Sequence, residues 1–226
     1  FIPREYWTIE AELNKKIVAA RPETFRVMLT GLTDGTKLDL NNQEESSEIK
    51  EKLENASYSV IIIKTKKISR QPAPPFITST LQQEAWRKLR FAVAETMAIA
   101  QQLYEGLPIG DEGSVGLVTY MRTDSPRVAR SATLETRDYI ISSYGTEFVP
   151  SRVRSFAARM KTAQEAHEAI RPTKIWRQPS LIKQHLTNSQ FRLYQLIWQR
   201  MVASQMAAAS FTNTTVDIEA RCPLSK

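Results

Sequence analysis

The sequence predicts an α+β fold in which a mainly helical domain is inserted into a β-rich one. Three observations predict it. Both ends of the chain alternate apolar and polar residues, as half-buried strands do, whereas the middle repeats its apolar residues at helical spacing. The two changes of pattern fall at Gln71-Pro72-Ala73-Pro74-Pro75 and at Ser210-Phe211-Thr212-Asn213-Thr214. The expected domains are therefore 1–70 for the first β-rich part, 71–209 for the helical insertion and 210–226 for the return into the β-rich part.

Taken in order, Trp7 to Leu13 alternates as a strand, and Phe25 to Thr30 does likewise. Asp34-Gly35 supplies a hairpin-type turn before a short strand over Lys37 to Leu40. Gln43 to Asn55 reads as an amphipathic helix with Ile49 and Leu53 one turn apart, and Ser57 to Ile68 as a β-branched strand. Ser79 with Gln82, or Thr80 with Gln83, has capping-box spacing. Trp86, Leu89, Val93, Met97, Ala100 and Leu103 then form one apolar stripe of core residues. Ser125-Pro126 has the form of a cap followed by proline at the first helical position, opening a helix toward Gly145. Phe191, Tyr194, Ile197, Trp198 and Met201 mark another core stripe, and Val216, Ile218 and Ala220 alternate again as a strand. The prolines at 71–75 stiffen the outgoing crossing, since each fixes φ and withholds a donor. Two adjacent crossings make a hinge.

The 226 residues are 42% apolar, enough for one large or two modest cores. No apolar run approaches a membrane span, and no charged-then-apolar signal segment opens the chain. It starts at Phe1 without a methionine and is expected to be a piece of a longer protein. One cysteine, Cys222, leaves no internal disulfide or cysteine metal site and suits a reducing cytoplasm. The net charge of +7 is unevenly placed: residues 1–76 hold 12 basic and 11 acidic side chains, whereas 148–207 hold 10 against 2. That second block, with Arg152, Arg154, Arg159, Lys161, Arg171, Lys174 and Arg177, reads as a surface for a nucleic-acid backbone.

The chemistry-bearing stretch is Gly116-Leu117-Val118-Thr119-Tyr120-Met121-Arg122-Thr123-Asp124-Ser125. A phenol has an unperturbed pKa of about 10, so a tyrosine that attacks a phosphodiester wants a cation nearby. Arg122 can favour the phenolate and neutralise charge on the phosphoryl oxygens from the same loop. Spacing alone also fits a buried strand tyrosine beside a solvated arginine. Gly31 to Lys37 has glycines and a lysine, but neither the spacing nor the helix start of a phosphate-binding loop. No Asp-x-Asp and no carboxylate cluster of the magnesium-binding kind occurs.

The run GLVTYMRTDS resembles the active-site signature of type IA DNA topoisomerases. PPFITSTLQQEAWRKLRF with ETMAIAQQLYEG is similar to the helical segment preceding the catalytic tyrosine in that family. TAQEAHEAIRPT, at 162–173, resembles its AHEAIRP motif, and YQLIWQRMVASQMAAA, at 194–209, its following helix. Met121 is the residue of the bacterial topoisomerase I branch; the topoisomerase III branch usually has proline there and reverse gyrases histidine.

The resemblance implies a β-rich arch carrying a helical domain that swings to open a gate for DNA. It implies that Tyr120 attacks a phosphodiester of single-stranded DNA, giving a 5′-phosphotyrosyl link and a free 3′-hydroxyl, and that relaxation of negative supercoils needs no ATP. Arg122 then stabilises the pentacovalent state, and His167 donates a hydrogen bond to a phosphate oxygen. Arg171 supports the same loop or touches phosphate, Asp124 orients Arg122, takes part in religation or caps a helix, and Arg152, Arg154, Arg159 and Lys161 grip DNA. Mg2+, a glutamate general acid and a lysine belong, by the same resemblance, to a Toprim domain that this chain does not include; a zinc-ribbon region seen in many members is likewise not within it. None of these cofactors is expected here. The expected partner is DNA, with no membrane, in a monomer of the bacterial cytoplasm associated with the nucleoid. The alternative is a non-catalytic helical module that only binds DNA.

Overall fold

Helices and strands are mixed in the computed structural model, which describes residues 2–15, 24–156 and 168–223. In chain order the elements are β1 Glu10–Asn14, β2 Thr24–Met28, α1 Gln43–Glu54 and β3 Ser57–Arg70. There follow α2 Thr78–Leu89, α3 Val93–Glu105, β4 Leu107–Pro108, β5 Ser114–Val115 and α4 Arg130–Tyr144. The last are α5 Pro179–Ile182, α6 Asn188–Gln205 and β6 Ala209–Arg221. The chain divides into two compact units, Phe1–Lys67 with Thr212–Lys226, and Ile68–Phe211.

In the first unit β1 and β2 pair antiparallel, with Glu10 opposite Met28 and Leu13 opposite Phe25. The expected Asp34-Gly35 turn forms: the Thr36 amide donates to Asp34 Oδ1 at 2.8 Å while Gly35 takes φ 91°. Its second arm is no full strand, only the bridge pairs of Gly31 with Lys37 and Trp7 with Leu40. The helix expected over 43–55 is capped by a residue outside the sequence pattern, Asn42, whose Oδ1 accepts the Glu45 amide at 2.8 Å. β3 pairs with β6 in a ribbon, tied across by Lys64 to Asp217 at 3.3 Å and by the hydroxyls of Thr65 and Thr214 at 3.4 Å. Ser210 to Thr214, expected as a linker, lies within β6.

The second unit is organised around α6, which packs on α2, α3 and α4 and buries Leu193, Tyr194, Ile197 and Met201. Its start is a true capping box: the Gln190 amide donates to Thr187 Oγ1 and the Thr187 amide to Gln190 Oε1. Phe76, Leu81, Leu103, Leu117, Ile140 and Ile170 complete the fully buried centre. The Tyr194 hydroxyl donates to the Arg177 carbonyl at 2.7 Å, and burial pushes that phenol well above its ordinary pKa.

Two expectations need correction here. The stripe from Trp86 to Leu103 is not one helix. Arg90 adopts a left-handed backbone (φ 62°), its amide bonded to the Trp86 carbonyl and that of Phe91 to Ala85, which closes α2 as a Schellman motif with an arginine where glycine is usual. Trp86 and Val93 consequently point outward, and the buried face is Leu81, Ala85, Thr96, Ile99, Ala100 and Leu103. The Ser125-Pro126 cap does not start a helix either. The Ser125 amide donates to Thr123 Oγ1 and the Arg127 amide to Ser125 Oγ, so both hydroxyls turn the backbone locally and α4 begins only at Arg130.

Candidate active site

The GLVTYMRTDS run docks on the end of α3 through its first residues. The Leu117 amide donates to the Leu103 carbonyl at 2.7 Å, and Gly116 passes so near α3 that a Cβ there would stand 2.7 Å from the Tyr104 carbonyl oxygen. Leu117 and Val118 are buried, and from Tyr120 to Ser125 exposure then alternates without a break. Met121, Thr123 and Ser125 face the core; Tyr120, Arg122 and Asp124 face outward. That is the period of an extended chain, so the three chemistry-bearing side chains share one face because they are two residues apart. Tyr120 is 45% exposed, and its ring meets that of Tyr104 edge-on at 5.4 Å.

Two threonines hold this extended segment in place. Thr78, the first residue of α2, donates its hydroxyl to the Met121 carbonyl at 2.8 Å and to the Thr123 carbonyl at 3.0 Å, and accepts the Thr123 amide at 2.8 Å. The Thr78 amide closes the pair on the Thr123 carbonyl at 2.9 Å. The capping boxes expected at Ser79 and Thr80 do not form: Ile77 occupies the N-cap, and the Thr80 hydroxyl accepts the Ile77 amide instead. Thr119 performs the matching service on the other flank. Its hydroxyl donates to the Ala169 carbonyl at 2.7 Å and accepts the Arg171 amide at 3.0 Å, while its amide donates to the Arg171 carbonyl at 2.9 Å. Val118 and Pro172 form a bridge pair, as do Phe76 and Ile170, so the described end of that motif, Ala169 to Pro172, lies against the start of the tyrosine loop.

Arg122 and Asp124 line a shallow recess of about 390 Å³ together with Ile77, Thr78, Ser79 and Thr123. An anion in this recess would meet the Arg122 guanidinium beside the first turn of α2. Arg171 faces its own loop: its guanidinium donates to Glu168 Oε2 at 2.7–2.8 Å and to the Pro172 carbonyl at 2.9 Å, with its side chain 13% exposed. Arg154 is likewise engaged, donating to the Met206 carbonyl at 2.9 Å and to Gln71 Oε1 at 2.7 Å, whereas Arg152 is exposed. His167, Arg159 and Lys161 lie outside the described residues. Among the described residues no group of three or more His, Cys, Asp or Glu side chains gathers as a metal site, and no helix is long and apolar enough to cross a membrane.

Sequence reasoning missed Tyr104, Thr78 and Thr119. Tyr104 carries no local signal, being one tyrosine at a helix end. Thr78 looks like a capping residue because a side-chain hydroxyl before a helix is the commonest cap, Thr119 carries no signal within its run, and only the third dimension reveals their partners 43 to 52 residues away.

A family profile described as DNA topoisomerase matches residues 1–225. The DNA topoisomerase 1 of Xylella fastidiosa (strain Temecula1) is 44% identical over 226 residues, 97% of this chain and 27% of that protein. The DNA topoisomerase 1 of Rickettsia bellii is 44% identical over 208 residues, 91% of this chain and 25% of that protein. Among solved structures, full-length topoisomerase I from Thermotoga maritima superposes with a TM-score of 0.67 at 35% identity, over 83% of this chain and 31% of that one. The chain thus spans about a quarter of the length of the curated relatives it matches.

Proposed function

This chain belongs to the type IA DNA topoisomerase family, in its bacterial topoisomerase I branch, and on that footing we propose that it carries the nucleophile of a DNA strand-passage reaction. Tyr120 Oη attacks a phosphodiester of single-stranded DNA. A bond forms from the phenol oxygen, which gives up its proton, to phosphorus as the bond from phosphorus to the 3′-oxygen breaks and that oxygen takes up a proton, leaving a 5′-phosphotyrosyl link and a 3′-hydroxyl. The phosphoester bond is conserved, so the 3′-hydroxyl reverses the step after another strand has passed, and no ATP is required. Arg122 neutralises charge on the equatorial phosphoryl oxygens, and His167 donates a hydrogen bond to one of them. Asp124 orients Arg122, Arg171 stiffens the loop through Glu168, and Arg152, Arg154, Arg159 and Lys161 bear on the DNA backbone.

The observation that carries this reading is the shared outward face of Tyr120, Arg122 and Asp124 on a loop pinned from both flanks. We assign the unit Ile68–Phe211 to the swinging domain that bears the tyrosine and the other unit to the arch. The described residues offer no carboxylate set that fits Mg2+, so no step here runs through it. We place that ion, the general acid for the 3′-oxygen and the lysine in a Toprim domain of the longer protein. The whole enzyme then acts on negatively supercoiled DNA, as a monomer in the bacterial cytoplasm at the nucleoid.

The test is covalent trapping of cleaved DNA by a full-length protein carrying these residues. Tyr120→Phe keeps the ring against Tyr104 and removes only the nucleophilic oxygen, so cleavage and relaxation are lost while DNA binding persists. Undiminished covalent complex in that variant overturns the assignment. A wild-type protein that binds DNA but never traps it is instead the non-catalytic binding module.

A further inference from the structure

A second concentration of positive charge surrounds an open groove of about 420 Å³ on the unit that carries Tyr120. Its walls come from two directions. Arg127 lies on the segment after Asp124, Arg130 opens α4, and Thr133 follows one turn on. Arg154, Ser155 and Phe156 come from the stretch beyond α4. Arg154 is fixed by its bonds to the Met206 carbonyl and to Gln71 Oε1, both neutral acceptors, so its guanidinium is positioned but not neutralised. Arg127 is anchored through its backbone: its amide donates to Ser125 Oγ at 3.3 Å, and its carbonyl accepts the Ala169 amide at 2.7 Å. The Arg127 and Arg130 side chains remain exposed.

Ion pairing among the described residues falls elsewhere. Arg171 pairs with Glu168, Arg177 and Lys174 with Glu112, and Arg200, Lys88 and Arg87 with Glu84. Arg127, Arg130 and Arg154 have no carboxylate within ion-pairing distance among the described residues. Three like charges around one concavity repel each other, and an anion seated between them removes that repulsion. Planar guanidinium groups suit the tetrahedral, bidentate acceptor of a phosphodiester.

We propose that this groove is a phosphate-backbone subsite for the DNA strand that stays attached to the unit after cleavage. The proposal rests on the reading of Tyr120 for its choice of strand. Cleavage leaves the 5′-phosphoryl end on the tyrosine, and that strand has to travel with the unit that holds the tyrosine. A single ester bond leaves the strand free to swivel. A grip on a phosphate further along that strand, by Arg127 seven residues after Tyr120 in the sequence and by Arg130 and Arg154 around the same groove, keeps the broken end aligned for resealing.

Binding of a fluorescently labelled single-stranded oligonucleotide to the 226-residue chain, measured across a salt series, tests the subsite. Neutralising Arg127 and Arg130 together, as Arg127→Ala with Arg130→Ala, is expected to weaken binding at low salt. The slope of log K against log salt should shrink by about 0.7 for each phosphate contact removed. Arg127→Lys with Arg130→Lys keeps the charge and the slope but loses the fork, so affinity falls less. Circular dichroism melts confirm that each variant is folded; should the alanine pair fail to fold, Arg130→Gln at the exposed start of α4 gives the same reading for one contact. Lys64→Glu with Lys66→Glu, in the other unit, leaves the slope unchanged. Wild-type affinity and slope in folded groove variants, or no binding by the wild-type chain at low salt, overturns the subsite. Covalent trapping is read separately: its absence with groove binding intact removes the Tyr120 assignment and leaves a backbone-binding groove.

Discussion

At the scale of single residues, Thr78 stands out although it bears no chemistry. Its hydroxyl both donates to and accepts from the backbone of the tyrosine loop, so Thr78→Val keeps the shape and strands the buried Thr123 amide and the Met121 carbonyl. An unsatisfied buried group costs about 1–3 kcal/mol, which the loop relieves by shifting outward. A displacement of about 1 Å at a reacting centre can cost on the order of 100-fold in rate. The expected result in the full-length protein is a marked fall in the rate of covalent-complex formation, with DNA affinity little changed and activity restored by Thr78→Ser. A variant that melts earlier yet traps DNA at the wild-type rate per folded molecule shows that Thr78 only supports the fold. What was legible in the sequence at this scale was the two-residue spacing of Tyr120, Arg122 and Asp124, which fixes a common face in any extended chain. Their clamps were not legible, because hydrogen bonds spanning 43 to 52 residues leave no periodic trace.

At the scale of elements, most helices and strands were legible, the ends of α1 and the start of β3 among them, but the end of α2 and the start of α4 were not. The break between α2 and α3 was hidden because apolar residues resume at nearly helical spacing after it, so one stripe counts through the left-handed turn at Arg90 that ends α2. Relief of that left-handed arginine offers a check: Arg90→Gly removes a strain of about 1–2 kcal/mol, against which glycine's unfolded-state entropy and the loss of contact with Trp86 at 6.0 Å work. A thermal midpoint equal to or a few degrees above wild type is expected, and a large fall shows that the Arg90 side chain matters more than its backbone. A second check concerns the staple between α2 and α6. Arg200 pairs with Glu84 at 3.5 Å, donates to the Pro74 carbonyl and lies over the Phe76 ring at 4.3 Å. Burial by itself raises the Glu84 carboxyl, but Lys88, Arg200 and Arg87 outweigh it and hold it below the ordinary glutamate value. A carboxyl lowered on folding stabilises the protein above its unfolded pKa, and that contribution fades as pH falls through the folded value. Glu84→Gln should therefore melt below wild type at neutral pH, with the gap closing only as the pH falls below the ordinary glutamate value. A gap that persists unchanged into acid assigns the effect to packing.

At the scale of the whole molecule, the 226-residue chain spans about a quarter of its relatives, and its described residues gather no metal-binding carboxylates. Purified alone, it is expected to leave negatively supercoiled plasmid unrelaxed on agarose gels, with or without Mg2+. Magnesium-dependent relaxation by the pure chain places a complete site within these residues. The mixed architecture and the insertion of helices between strands were legible as changes of period. The pairing of the two outer strands was not, since β3 and β6 are too far apart in sequence for either to announce the other. That pairing has a consequence for descent. The division between the units cuts β3 after Lys67 and β6 before Thr212, so the unit Ile68–Phe211 leaves and re-enters through hydrogen-bonded neighbours. A segment with adjacent ends can be gained, lost or exchanged by one recombination event without tearing a sheet, because a two-residue turn can join the remaining strands as a hairpin. Grafting a foreign domain into this ribbon, or circularly permuting the excised one, asks for no more than a short connection between ends that are already side by side.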